Sequence, residues 1–223
     1  MGEFIKLTTK DGATIDAYKA VPEGTPRGGI VVLQEIFGVN HHIRGIADLY
    51  ASHGYVAIAP ALYDRVSPGV ELGYVQKDIE EGLAIRAKTK IEETLADIAA
   101  AVAAAHEAGK VGVVGFCWGG ALAYVSAARL SDIDASVGYY GGGIAANIAD
   151  SFNAPLLLHF GDKDQSIPLT DVEKIQKANP DVPIHIYLGA GHGFNCDERG
   201  SHDAEASAKA LERTLAFFDK ELA

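Results

Sequence analysis

The sequence predicts an α/β protein with a mostly parallel central sheet, helices on both of its faces and an antiparallel hairpin at the N-terminus. Three observations carry this. Short, continuously apolar runs such as "GIVVL" and "VGVV" recur along the chain, as strands buried on both faces require. Helix-length segments separate them, and strictly alternating β and α elements close into parallel sheets through right-handed crossovers. Near the start, two alternating segments, residues 4–8 and 14–20, flank Asp11-Gly12, a hairpin signature.

The elements follow in order. Residues 28–33 read as the first buried strand, 43–53 as a helix closed by Gly54, and 55–60 as the next strand. Residues 70–107 form a long helical region. Gly69, Gly73 and Gly82 interrupt its start, and Gly109 follows as a C-cap. Then come strand 111–115, helix 118–130, strand 135–140, helix 144–151, strand 155–160, helix 170–179, strand 183–187 and a closing helix over 202–222. Asp203 and Glu205 favour the start of that helix and Lys220 its end. Composition is even and no linker or repeat divides the chain, so one domain over 1–223 is expected.

The charge balance narrows the partners. Nineteen Lys and Arg against thirty Asp and Glu leave a net charge of −11 in 223 residues. Phosphate backbones and anionic lipid surfaces repel such a protein, so neither nucleic acid nor membrane is an expected partner. The expectation is a small-molecule substrate and a monomer or small homo-oligomer. Two cysteines far apart, no leader-like N-terminal segment and no apolar run of membrane-spanning length fit a reduced cytoplasmic setting.

In such sheets ligands bind beyond the carboxyl ends of the strands, so the chemistry is sought in those loops. "GFCWGG" sets Cys117 between a strand and a helix with Gly115 and Gly119 two residues to either side. This is the nucleophile-elbow pattern with sulfur in place of oxygen. The glycines let neighbouring backbone approach, and the helix start favours a thiolate. A buried core cysteine is the plainer alternative. A phosphate loop is disfavoured by the missing Lys-Ser/Thr ending and by the bulk of Trp118.

An elbow nucleophile is followed in sequence by an acid and then a histidine. "LLLHFGDKDQSIP" runs a buried strand into a loop holding Asp162 and Asp164. Asp164, farther out and before the turn set by Pro168, is the candidate acid. Asp162 suits a hydrogen bond to its own backbone that holds the turn. "YLGAGHGF" places His192 in a glycine-flanked loop after the last strand. His159 and His185 fall inside strand patterns, and His53, His106 and His202 lie near helix ends. His41 and His42 read as a solvated pair. A metal site from His192, Cys196 and the His41-His42 pair matches no zinc spacing, so no metal or organic cofactor is expected.

Taken together, "QEIFGVN" (34–40), "PALY" (60–63), "GFCWGGALA" (115–123), "GYYGGG" (138–143), "GDKDQSIP" (161–168) and "GAGHGF" (189–194) resemble the dienelactone hydrolase family, cysteine-using members of the α/β-hydrolase fold. The resemblance implies a Cys117–His192–Asp164 triad. It also implies a role for Glu35, whose family counterpart lies beside the thiol and helps take its proton once substrate binds. The competing reading of Glu35 is a loop carboxylate paired with Arg44 or a backbone N–H. The backbone N–H groups of Ile36 and Trp118 are the expected oxyanion hole. Family enzymes that open dienelactone hold its carboxylate with two arginines. Here Asn195-Cys196 follows "GHGF", and "QKDIEEGLAIR" brings glutamates to the helical region. Arg86 and Arg199 are the arginines available as substitutes, and Phe37 and Tyr139 are candidate pocket aromatics or ordinary core residues.

The expected reaction is hydrolysis of a small ester or enol-lactone through a thioester on Cys117. A general carboxylesterase or thioesterase using the same site, and a non-catalytic thiol redox sensor with Cys196 as resolving thiol, are the alternatives.

Overall fold

A computed structural model describes residues 2–223. Its centre is an eight-stranded sheet in the order β1-β2-β4-β3-β5-β6-β7-β8. The strands are β1 (Glu3–Thr8), β2 (Thr14–Ala20), β3 (Gly29–Leu33), β4 (Val56–Pro60), β5 (Val111–Phe116), β6 (Ala135–Tyr139), β7 (Leu156–Gly161) and β8 (Ile184–Tyr187). The β1–β2 and β2–β4 pairings are antiparallel and all the others parallel. All eight expected strands are present, with ends shifted by a residue or so.

Period-two alternation divides the central strands between two cores. Ile30, Val32, Val114 and Phe116 face one side, where Tyr50 of α1 (His41–Ser52) packs edge-on against Phe218 of α6 (Ala204–Glu221). Val31, Leu33, Val111 and Val113 face the other, against Leu95 and Ile98 of α3 (Ile91–Ala105). Each such fully buried aliphatic side chain contributes about 1.5–3 kcal/mol. The double burial explains why these strands read as unbroken apolar runs.

Two helical expectations are corrected. The region 70–107 is not one helix: α2 (Gln76–Arg86) and α3 are separate, with residues 70–75 irregular. The Thr89 hydroxyl donates to the Arg86 carbonyl, and Lys90 turns extended before α3. Helix 144–151 shrinks to a single 3-10 turn, Ile144–Ala146. There the Asn147 side chain donates back to the Gly143 carbonyl and competes with helix propagation. The remaining helices, α4 (Trp118–Arg129) and α5 (Leu169–Ala178), lie as expected. Asn40 caps α1 by accepting from the Ile43 N–H, and Asp203 caps α6 by accepting from that of Ala206.

Candidate active site

The carboxyl ends of β3, β5, β7 and β8 converge on one edge of the sheet, and each delivers one element of the site. Cys117 is the single residue between β5 and α4. Its φ of 53° and ψ of −113° lie in a strained region for a side-chain-bearing residue. The surrounding glycines make that turn possible. A Cβ on Gly115 would stand 1.9 Å from the Gly119 carbonyl oxygen, one on Gly119 2.3 Å from that of Leu33, and one on Gly120 2.3 Å from that of Tyr139. The "G-x-C-x-G-G" spacing is therefore a packing requirement, with α4 pressed against the ends of β3 and β6.

The loop after β7 supplies Asp164. One carboxylate oxygen accepts from the Ser166 and Ile167 amides at 2.8 and 3.1 Å, and the other meets His192 Nδ1 at 2.7 Å. Asp162 does not bond the backbone of its own turn as expected; it accepts from the Gly189 amide and ties the β7 and β8 loops together. His192 faces the sulfur through Nε2, 3.2 Å from Cys117 Sγ. The sequence-selected cysteine, histidine and aspartate thus form one continuous chain, Sγ–imidazole–carboxylate. Burial pulls the His192 imidazolium down, but the hydrogen bonds and charges of Asp164 and Cys117 outweigh it and push its pKa up to about 10.

Glu35 follows β3 and is almost wholly buried. It lies neither with Arg44, which pairs with Glu71, nor in hydrogen-bond contact with the thiol; its Oε1 accepts from Arg199 Nη1 at 3.1 Å. Its Oε2 has no partner. The Arg199 guanidinium lies over the rings of Phe37 and Tyr74 at 5.8 and 5.7 Å, a cation–π arrangement. Of the two candidate arginines, Arg199 therefore joins the site. Arg86 is exposed at the end of α2, on the rim of a cleft of about 500 Å³ that also includes Trp118, Leu122 and Val125. Trp118 opens α4, whose first amides have no partner within the helix, and its ring stacks on Tyr63.

Tyr139 is a fully buried aromatic of the core that also lines a cavity of about 420 Å³ beside α1. Its hydroxyl bonds Thr214 of α6 at 2.6 Å inside the core, in a network completed by His159 and Tyr187. The neighbouring Tyr140 is the one whose ring meets His192. It is the other non-glycine residue with positive φ, 37°, among those described, and its ring lies 5.2 Å edge-on from His192. Its hydroxyl is buried and unpartnered, and burial with the charge of Glu35 pushes its pKa well up. The doubled tyrosine in "GYYGGG" was the available signal, because adjacent residues leaving a strand face opposite sides. His42 is also corrected: it is buried against Asp197, while His41 is exposed beside Glu198.

The model of the dienelactone hydrolase family matches residues 15–222. A Synechocystis protein named "Putative carboxymethylenebutenolidase" is 39% identical over 212 residues, covering 86% of each chain. The carboxymethylenebutenolidase of Pseudomonas putida is 35% identical over 225 residues, covering 96% of this chain and 95% of its own. The crystal structure titled "Putative Dienelactone Hydrolase" from Klebsiella pneumoniae superposes with a TM-score of 0.82 at 30% identity, over 98% of this chain and 99% of that one. Among the described residues no helix is long and apolar enough to cross a membrane. With the match running through all the strands that build the site, the chain belongs to the dienelactone hydrolase family and is a carboxylic ester hydrolase of the α/β fold.

Proposed function

We propose that the protein opens small enol-type lactones or activated esters through a thioester on Cys117. The observation carrying this reading is the 3.2 Å and 2.7 Å spacing that links sulfur, His192 and Asp164. The Cys117 sulfur attacks the substrate carbonyl, and the backbone N–H groups of Ile36 and Trp118 hold the developing oxyanion. Removing one such donor typically costs about 3 kcal/mol of transition-state stabilisation. The tetrahedral adduct collapses, the C–O bond breaks, and the leaving oxygen takes the proton from His192 Nε2. In a lactone that oxygen stays tethered to the acyl chain. Water then gives a proton to His192 and attacks the thioester carbonyl, and sulfur leaves as the carboxylic product forms. Asp164 fixes the imidazole tautomer and stabilises its charged form.

A thiolate leaves a tetrahedral adduct more readily than an ordinary alkoxide does, so good leaving groups such as enolates and phenolates are favoured. Arg199 is the cation offered to a substrate carboxylate, and Glu35 holds it in place. The test is a hydrolysis screen of enol lactones, aryl esters and thioesters, each with and without a free carboxylate. Enol lactones and aryl esters turning over well ahead of alkyl esters, with a gain from the carboxylate, is the expected result. Thioesters turning over ahead of enol lactones would transfer the proposal to a thioesterase, and no turnover of any class would reject it.

A further inference from the structure

Away from the triad, three side chains from two parts of the chain meet at the edge of a second cavity. His42 stands in the first turn of α1, and Cys196 and Asp197 follow the loop that carries His192. Their donor atoms all lie within 4.8 Å of one another. His42 Nδ1 is 3.2 Å from the Asp197 carboxylate. The His42 side chain is only 4% exposed, yet its Nε2 is buried with no partner at all. A buried imidazole nitrogen without a partner is unfavourable, and an unmet ion is one of the standard causes of such an orphan. Cys196 is fully buried as a free thiol beside it. Asp197 is 74% exposed and gives the cluster access to solvent. The adjoining cavity, about 420 Å³, is also lined by His41, Glu198 and His202.

We propose that His42, Cys196 and Asp197 form a site for a divalent transition-metal ion of the zinc type, separate from the Cys117–His192–Asp164 triad. The donor set argues for that class. One imidazole nitrogen, one sulfur and one carboxylate oxygen are ligands that zinc and cobalt take together, whereas calcium and magnesium take oxygen alone. Thiolate and carboxylate together cancel the double charge of the ion, which suits a site with two of its three ligands buried. On binding, the Cys196 S–H bond is replaced by a sulfur–metal bond and the thiol proton leaves to solvent. Three protein ligands leave a fourth position for water or a small anion. Because the cluster joins α1 to the segment between His192 and Arg199, a bound ion clamps the loop that carries both.

The test is titration of the purified, metal-stripped chain with cobalt(II), followed by absorption. One equivalent per chain, with a sulfur-to-cobalt charge-transfer band in the near ultraviolet, is expected. The band should vanish in Cys196→Ser and persist in Cys117→Ala. Asp197→Ala, an exposed change that leaves packing intact, should weaken cobalt binding at least about tenfold, and this variant decides the matter if Cys196→Ser does not fold. A wild-type complex without the sulfur band, a band surviving in Cys196→Ser or lost in Cys117→Ala, or unchanged affinity in Asp197→Ala would overturn the site.

Discussion

Nε2 of His192 lies 3.2 Å from Sγ of Cys117, and the two residues come from loops 75 positions apart in sequence. The imidazole's other nitrogen is held by Asp164, itself pinned by two backbone amides. The sulfur sits on a backbone that cannot relax without disturbing the packing of α4 on the sheet. Both partners of the short contact are thus positioned from behind, the preorganisation that nucleophilic catalysis needs.

Replacing the nucleophile tests that arrangement directly. Cys117→Ala should lower kcat/KM for an aryl ester by roughly a thousandfold or more, while circular dichroism and the unfolding midpoint stay near wild type. Asp164→Asn should show a comparable loss, roughly a thousandfold to ten-thousandfold, because an amide can hold the wrong imidazole tautomer. Full activity in Cys117→Ala would remove the thiol from the mechanism.

The two thiols should separate cleanly in chemical labelling. Cys117 is partly exposed and faces an imidazolium, whereas Cys196 is fully buried and burial pushes its thiol pKa up to about 11. Iodoacetamide at neutral pH should therefore modify Cys117 first, with activity falling in proportion to that label. Peptide mapping checks the order. Preferential labelling of Cys196 would mean that the loop over it opens far more readily than its packing implies.

Much of this site was legible in the chain because its determinants are local. A strand–glycine–cysteine–glycine–helix corner, a polar loop after an apolar strand and a glycine-flanked histidine each carry their geometry in a few consecutive residues. What escaped depended on long-range contacts. Whether Glu35 pairs with Arg44 or Arg199 is decided by how a distant loop folds back. That Tyr140 meets His192 depends on where the strand ends and the chain turns. At 144–151 the helix stops after one turn, where the Asn147 side chain bonds back to the Gly143 carbonyl and competes with the helix ladder.

The raised His192 pKa has a definite sign in stability. An imidazolium held above its ordinary 6.5 stabilises the folded state fully below that pH, and the contribution fades as pH rises toward about 10. The unfolding midpoint should therefore decline between pH 7 and 10 in the wild type. Replacing His192 with Gln should flatten that part of the curve, and Asp164→Asn should move the decline to lower pH, since the carboxylate is one of the groups holding the proton. Thermal melts across that range measure it. A His192→Gln curve parallel to wild type would show that other groups carry the slope.

The glycines around the elbow predict opposite signs for the same chemical change. Gly119→Ala brings a methyl to 2.3 Å from the Leu33 carbonyl oxygen and 2.6 Å from that of Gln34. Both are main-chain atoms at the end of β3 and cannot swing aside. Overpacking of this kind costs about 1–3 kcal/mol or more, and any relief must shift α4 and with it Cys117. Lower stability and a fall in kcat larger than any change in KM are expected together. Gly45→Ala, in the exposed middle of α1 with nothing within 4 Å of the new methyl, should instead stabilise by about 1 kcal/mol through helix propensity and leave kcat unchanged. Denaturant unfolding of the two variants, set beside their kinetics, separates the cases. Equal effects from both would mean that the close approach of α4 to β3 is not what holds the nucleophile in its strained turn.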